Sequence, residues 1–270
     1  MRKKTVLLTN DDGYDAPGIR LLYGILREEK RYSIVIVAPR CEQSGVGHSF
    51  TYQAPLCYEK ISGGFAEKFY SVNGSPADCV KFGISYLMDE RPDMVISGLN
   101  HGENSGISSF YSGTVAAARE GAFWSVPSFA FSLCAEGNEH AAEYIKTVPG
   151  IIDGIMDKTT GCDKGTFFNV NFPSCPKNKA KGIRITRQSM AFFNDRYTRI
   201  ECSGHEVMKN AFSIEGEKEG IESSEDFDSR ALLGGWITVT PHSFDSTAYG
   251  DLQKLKNIEH TFSFKDKSNE

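Results

Sequence analysis

The sequence lacks most of the features that mark secreted or membrane proteins. Its seven cysteines stand singly, without a C-x-x-C pair, so we expect reduced thiols rather than a disulfide framework or a zinc site. No apolar run approaches the roughly 20 residues that cross a bilayer, and the apolar stretch behind residues 1–4 is too short for a signal-peptide core. These absences predict a cytoplasmic protein without a membrane partner.

An excess of positive charge is also absent. The chain carries 30 Lys and Arg against 35 Asp and Glu, a formal net charge of −5. This balance argues against a nucleic-acid polymer as the main partner. Hydrophobic residues make up 40% of the 270 positions, which is enough for a sizeable core. Small molecules and other proteins are therefore the expected partners.

In the first half of the chain, strand-like and helix-like segments alternate. Short apolar or β-branched runs lie at residues 5–8, 33–37, 93–97 and 127–133, and helical patterns lie at residues 17–29, 75–88, 113–121 and 138–156, the last interrupted at Pro149-Gly150. Alternation of this kind indicates βαβ units. We therefore predict an α/β fold with a mostly parallel sheet.

Past about residue 165 the pattern changes. Strand-like segments continue at residues 166–173, 181–188 and 234–242, without strong helices between them, and the acidic residues 215–228 are predicted to form a solvated loop. We therefore expect two regions: residues 1–165 with the α/β fold, and residues 166–270 as a β-rich C-terminal extension packed on the first.

Polar residues follow three of the predicted strands. Asp11 and Asp12 follow the first, Ser44 lies in the loop after the second, and Asn100 follows the third. Because parallel strands end at one edge of a sheet, these residues should meet in one cleft. They offer only oxygen ligands, which suit Mg²⁺, Mn²⁺ or Ca²⁺. A cation would also relieve the repulsion between the adjacent carboxylates, which otherwise favours protonation of one of them.

An anion site is predicted beside this metal site. Ser112, Gly113 and Thr114 begin a helix of small residues, and free backbone N–H groups at a helix N-terminus bind anions. A metal next to such a site indicates phosphoryl chemistry with an activated water. The plainer interpretation is that Asp-Asp-Gly forms an ordinary turn, and that His48 and His101, each standing alone, are ordinary surface or core residues.

Seven segments, in order along nearly the whole chain, resemble the SurE family of metal-dependent 5′-nucleotidases. They are VLLTNDDGYDAPGI, VAPRCEQSG, SVNGSPADCV, PDMVISGLNHGENSG, YSGTVAAAREG, NVNFP and WITVTPHSFDST. The resemblance implies a Rossmann-like three-layer αβα sandwich. It also implies a C-terminal β-hairpin extension that exchanges between subunits, giving homodimers or homotetramers.

The resemblance further implies roles for single residues. One divalent cation per subunit, Mg²⁺ or Mn²⁺, would be held by Asp11, Asp12, Ser44 and Asn100, with Asp11 and Asp12 as the catalytic pair. Phosphate contacts would come from Asn104 and from the turn of Ser112, Gly113 and Thr114. The implied reaction is hydrolysis of nucleoside 5′-monophosphates, with 3′-monophosphates and short polyphosphate as further substrates of the family.

Two other functions fit parts of the pattern. A receiver-type phosphoacceptor domain also places an acidic pair after its first strand, but its acceptor Asp would stand where this chain has Asn100. A non-catalytic nucleotide-binding module would use the same cleft without hydrolysis. The general acid stays open in the enzyme interpretation, with His101 and His242 as candidates.

Overall fold

The computed structural model describes residues 2–134, 139–158, 165–200 and 211–258. The strands are β1 (Lys4–Thr9), β2 (Tyr32–Pro39), β3 (Tyr58–Lys60), β4 (Lys68–Val72), β5 (Met94–His101), β6 (Ser128–Leu133), β7 (Thr166–Phe172), β8 (Ile183–Ile185), β9 (Phe192–Ile200), β10 (Ala211–Glu219) and β11 (Ile237–Ser243). The α-helices are α1 (Pro17–Glu28), α2 (Pro76–Phe82), α3 (Ser108–Tyr111), α4 (Gly113–Phe123), α5 (Ala141–Tyr144), α6 (Val148–Met156), α7 (Asp228–Leu233) and α8 (Tyr249–Leu255).

Nine of these strands form one sheet in the order β3-β4-β2-β1-β5-β6-β7-β11-β8. Strands β4, β2, β1, β5, β6 and β7 run parallel, and antiparallel pairs occur at β3–β4 and β7–β11. Helices α1, α5 and α6 pack on one face of the sheet, and α2 and α4 pack on the other. The predicted mostly parallel α/β sandwich is confirmed.

Local sequence explains the helices next to the site. Helix α1 buries Ile19, Leu22 and Leu26, spaced along one face. Helix α2 starts at a capping box in which Ser75 and Asp78 each bond the backbone N–H of the other. Gly18 is required in α1, because a Cβ there would lie 1.9 Å from the carbonyl oxygen of Leu99. This contact sets α1 directly against the end of β5.

Three sequence predictions of local structure need correction. The strand predicted at residues 93–97 continues to His101 through an irregularity between Ser97 and Asn100. The helix predicted at residues 138–156 is divided, and Pro149 lies in the first turn of α6, where its missing N–H costs nothing. The segment 215–228 is not a loop throughout, since residues 215–219 belong to β10 and Asp228 begins α7.

The residues past 165 are shared between two structures. Strands β7, β8 and β11 belong to the central sheet, while β9 and β10 form a separate antiparallel pair and, among the described residues, have no other strand partner. The expected boundary at residue 165 therefore falls directly before a strand of the main sheet. Within the described residues, no helix combines the length and the apolar character needed to cross a membrane.

Candidate active site

Asp11 lies buried just beyond the end of β1, with 4% of its surface exposed. The Thr114 hydroxyl donates a hydrogen bond to its Oδ1, and the Thr114 backbone N–H also donates to this carboxylate. Burial raises the pKa of Asp11, and the bonds from Thr114 oppose the rise. Thr114 is thus committed to holding Asp11.

Helix α4 approaches this carboxylate closely because its first residue is glycine. A Cβ at Gly113 would lie 2.8 Å from Cβ of Asp11 and 3.0 Å from Cγ of Pro76. The first distance is shorter than real Cβ contacts and the second is unusually tight, so a larger residue at position 113 would force Asp11 or the helix to shift. The small residues that open α4 therefore place its N-terminus directly against Asp11.

Asp12 completes the acidic pair. Burial first, and the neighbouring Asp11 second, raise the pKa of Asp12 to about 6, while a hydrogen bond from the His101 backbone opposes the shift. Two carboxylates so placed disfavour each other's ionisation. A bound cation would remove that conflict.

Ser44 and Asn100 reach the same cleft as Asp11. The loop that carries Ser44 is tied to the end of β1, because the Gln43 N–H donates to the Asp11 carbonyl oxygen at 2.7 Å. The Ser44 hydroxyl donates to Oε1 of Glu42 at 2.8 Å, which leaves its oxygen lone pairs available. The Asn100 amide nitrogen donates to the Gly102 carbonyl oxygen at 2.7 Å, which leaves the amide oxygen as a ligand.

The donor set fits a hard divalent cation. It consists of carboxylate, hydroxyl and amide oxygens, the ligands that Mg²⁺ and Mn²⁺ prefer. Among the described residues, no three His, Cys, Asp or Glu side chains are arranged so that they could hold a metal ion together, so a metal here depends on the two carboxylates and neutral oxygens. In addition, the amide oxygen of Asn10, beside Asp11, is buried without a hydrogen-bond partner among the described residues.

Asn104 also lines the cleft, and buried polar residues of the sheet hold it in place. Its side-chain nitrogen donates to the Ser132 hydroxyl at 2.9 Å. Its backbone N–H donates to Oδ1 of Asn171 at 2.8 Å, and its carbonyl accepts from Nδ2 of Asn169 at 2.7 Å. The Asn-Val-Asn pattern of β7, with two amides on one face of a buried strand, was the sequence signal for this support.

The residues of the expected phosphate turn divide into two groups. Ser112 lines the cleft, and its hydroxyl caps α4 by accepting from the Val115 N–H at 3.1 Å. Gly113 and Thr114 lie behind it against Asp11. The structure thus brings Asp11, Ser44, Asn100, Asn104 and Ser112 to one cleft, with Asp12 beside Asp11.

The three histidines considered from sequence lie in different environments. His101 lines the cleft. His48 is bound at Nε2 by Glu120 at 2.9 Å and stacks on the Phe123 ring, which makes it a structural residue. His242 lies across from Phe167, near the start of β7. The cleft lies at the other end of the strands, so His242 cannot act as the general acid.

The far side of the cleft was not predicted from the sequence. The cavity has a volume of about 1130 Å³. Opposite the strand ends it is lined by Met190, Phe192, Phe193, Asp195, Tyr197 and Ile214, which come from the β9–β10 hairpin and the residues before it. No spacing in the sequence links these residues to Asp11, so the sequence gives no signal for this wall of the cleft.

Comparison with known proteins agrees with this architecture. The family model described as survival protein SurE matches residues 6–195. The chain belongs to the SurE family. A 5′-nucleotidase SurE from Aquifex aeolicus is 38% identical to it over 258 residues, which cover 94% of this chain and 98% of that relative. A second SurE 5′-nucleotidase, from Flavobacterium psychrophilum, is 36% identical over 259 residues, 95% of this chain and 98% of the relative.

A solved structure extends the SurE comparison to the fold. The crystal structure of the SurE protein from Aquifex aeolicus matches with a TM-score of 0.78 at 37% identity, covering 94% of this chain and 99% of the other. The match therefore extends well beyond the SurE motifs at the strand ends. The resemblance inferred from the seven segments is confirmed.

Proposed function

We propose that this protein hydrolyses nucleoside 5′-monophosphates to a nucleoside and phosphate, with 3′-monophosphates and short polyphosphate as further substrates. The observation that carries the proposal is the acidic pair of buried Asp11 and half-buried Asp12, set beside neutral oxygen ligands and the N-terminus of α4. The relatives named as 5′-nucleotidases support the choice of substrate.

Asp11, Asp12, Ser44 and Asn100 would hold one divalent cation per subunit, Mg²⁺ or Mn²⁺. When bound, such a cation supplies Lewis-acid chemistry, lowering the pKa of water and neutralising phosphate charge. The chain itself supplies orientation. Thr114 and the start of α4 fix the Asp11 carboxylate, so that the acidic pair can position the attacking water.

The phosphoryl group would lie between Asn104 and Ser112. The Asn104 amide retains one N–H that is not used in its bond to Ser132, and its backbone is fixed by two hydrogen bonds from β7. Donors held in this way stabilise charge developing on phosphoryl oxygens without reorganising. His101, which lines the cleft, is the candidate for protonating the leaving oxygen.

Replacement of Asp11 tests this proposal. Asp11→Asn should lower phosphatase kcat/KM by at least about 100-fold, while thermal stability without metal stays equal or rises, because the like-charge repulsion is gone. Asp15→Asn, in the same loop but exposed and paired with Arg20, is the matched control and should retain activity. An active Asp11→Asn enzyme would refute the assignment.

Two further assays separate the alternatives. A nucleotide-binding module would bind AMP in calorimetry with metal present but release no phosphate. A receiver domain would form a stable phosphoprotein with acetyl phosphate, whereas Asn100 near the end of β5 stands in the place of the acceptor Asp and leads us to expect none.

The proposal extends to organisation and assembly. We assign the chemistry to residues 1–165 and oligomerisation to the extension 166–270, as a homodimer or homotetramer. The exposed Phe212 and Ile200 at the outer end of the hairpin support this role, and light scattering would measure the assembly. Free thiols at Cys41 and Cys57 suit a cytoplasmic location.

A further inference from the structure

The β9–β10 hairpin has two chemically different faces. Phe193, Asp195 and Tyr197 alternate along β9, and Ile214 lies directly across from Tyr197 on β10. All four line the cleft, and they are called here the hairpin wall. The intervening positions, among them Asn194, Arg196, Glu215 and Glu217, line a polar groove on the other face.

The hairpin wall is not part of the hydrophobic core. Tyr197 is 73% exposed and Phe193 is 44% exposed, and in the part of the chain that the structure describes, β9 and β10 pair with no strand but each other. Large apolar side chains gathered on one exposed face usually mark a binding surface. Because this face closes the cleft that contains Asp11 and Asn104, the ligand of that cleft is its natural occupant.

The hairpin wall is also fixed relative to the loop around Asn104, where the phosphoryl group is expected to bind. Nζ of Lys218 in β10 donates to Oε1 of Glu103 at 2.9 Å, and to Oγ and the carbonyl oxygen of Ser105 at 2.7 and 3.1 Å. The Lys218 side chain is only 11% exposed. Since Glu103 and Ser105 flank Asn104, this contact ties the hairpin to the loop expected to hold the phosphoryl group.

Asp195 gives the hairpin wall a polar acceptor. It lies across from Gly216, where a Cβ would come within 2.8 Å of Oδ1 of Asp195, so the glycine makes room for this carboxylate. An anionic group here repels phosphate and accepts hydrogen bonds from N–H or O–H donors. The charge pattern therefore orients a ligand with its phosphate toward α4 and its neutral half toward the hairpin.

We propose that the hairpin wall binds the nucleobase of the substrate, with Phe193 and Tyr197 stacking on the base and Asp195 accepting hydrogen bonds from its amino group. Aromatic side chains stack on any base, and a carboxylate favours bases that carry an exocyclic amine. This proposal rests on the proposed function, because it assigns the nucleoside half of the same substrate.

The experiment compares substrates with and without a base. For Phe193→Leu and Tyr197→Leu, kcat/KM for AMP should fall about 10-fold each, while kcat/KM for ribose 5-phosphate stays within about threefold. Thr198→Val, in the same strand but on the polar face of the hairpin, is the matched control and should leave the ratio of the two substrates unchanged. Asp195→Asn should reduce the preference for AMP over IMP, which lacks the exocyclic amine.

Three results would overturn the proposal. The first is an equal loss of kcat/KM for AMP and ribose 5-phosphate, and the second is no loss of kcat/KM for either. The third is a changed oligomeric state in light scattering with an unchanged ratio of the two kcat/KM values, which would make the hairpin wall an interface between subunits. If the unaltered chain cleaves neither substrate, the proposed function fails instead. In that case AMP binding in calorimetry still tests the hairpin wall, because Tyr197→Leu should weaken AMP binding and Thr198→Val should not.

Discussion

Asp228 joins the root of the hairpin to the loop of the candidate active site. It is fully buried at the start of α7. Its Oδ2 accepts from the Gly106 N–H at 3.0 Å, and its Oδ1 accepts from the N–H groups of Ser189 and Ser229 at 2.9 and 2.7 Å. One carboxylate therefore satisfies three backbone donors from three separate segments.

Asp228→Asn should be strongly destabilising. An amide keeps one acceptor oxygen and places an N–H₂ donor against at least one of the three backbone donors. Losing a hydrogen bond to a charged acceptor and leaving a buried N–H unpaired costs about 3 kcal/mol. For a chain of this size, that corresponds to a Tm lower by roughly 5 to 10 °C.

The measurement is thermal and urea unfolding followed by circular dichroism. Asp226→Asn, two residues away, is the control, since that carboxylate is exposed and bonds Arg184 at 3.3 Å; its Tm should match that of the unaltered chain. Equal Tm values for Asp228→Asn and Asp226→Asn would show that the buried contacts do not carry the stability assigned to them.

Other predictions concern helix packing and pH. Gly113→Ala should reduce phosphatase activity by at least about 10-fold, because the added methyl group would overlap Asp11. At Gly24 in α1 an added methyl group meets no atom within 4 Å, so Gly24→Ala should instead raise the free energy of unfolding by about 0.5–1 kcal/mol. A greater loss of activity or stability in Gly24→Ala than in Gly113→Ala would contradict the packing argument. Burial lowers the pKa of His242 from 6.5 to about 4, so the unfolded chain binds more protons between these values and stability should fall as pH drops from 6.5 to 4. His242→Phe, which preserves stacking on Phe167, should flatten the urea midpoint across that range, and an unchanged slope would exclude His242 as its source.

Local sequence patterns were enough to predict the elements that are buried along most of their length or begin at a local cap. The β-branched run in β2 is buried along most of its length, and Ser75 and Asp78 form the capping box that their spacing predicts. Strand β10 was missed because its acidic residues lie on the hairpin's polar face, where antiparallel pairing with β9 stabilises them. Residues 211–219 form a strand because they pair with β9, and the composition of the segment does not reveal this pairing.

In the candidate active site, too, one part could be predicted from the sequence and another could not. The rule that parallel strands end together suffices to bring Asp11, Ser44 and Asn100 to one cleft. It says nothing about the opposite wall, since Lys218 and Glu103 are 115 positions apart and no periodicity connects them. Contacts of that range arise from how the layers pack, and only the structure supplies them.

The contact of Asp228 with Gly106 has a consequence for synthesis of the chain. The two residues are 122 positions apart, so the loop around Asn104 cannot take its final form until α7 has been made. A chain still on the ribosome can complete β1, β2 and β5 while the loop around Asn104 has not yet reached its final conformation. We therefore expect catalytic competence to arise late, close to release of the finished polypeptide, rather than when the parallel sheet first forms.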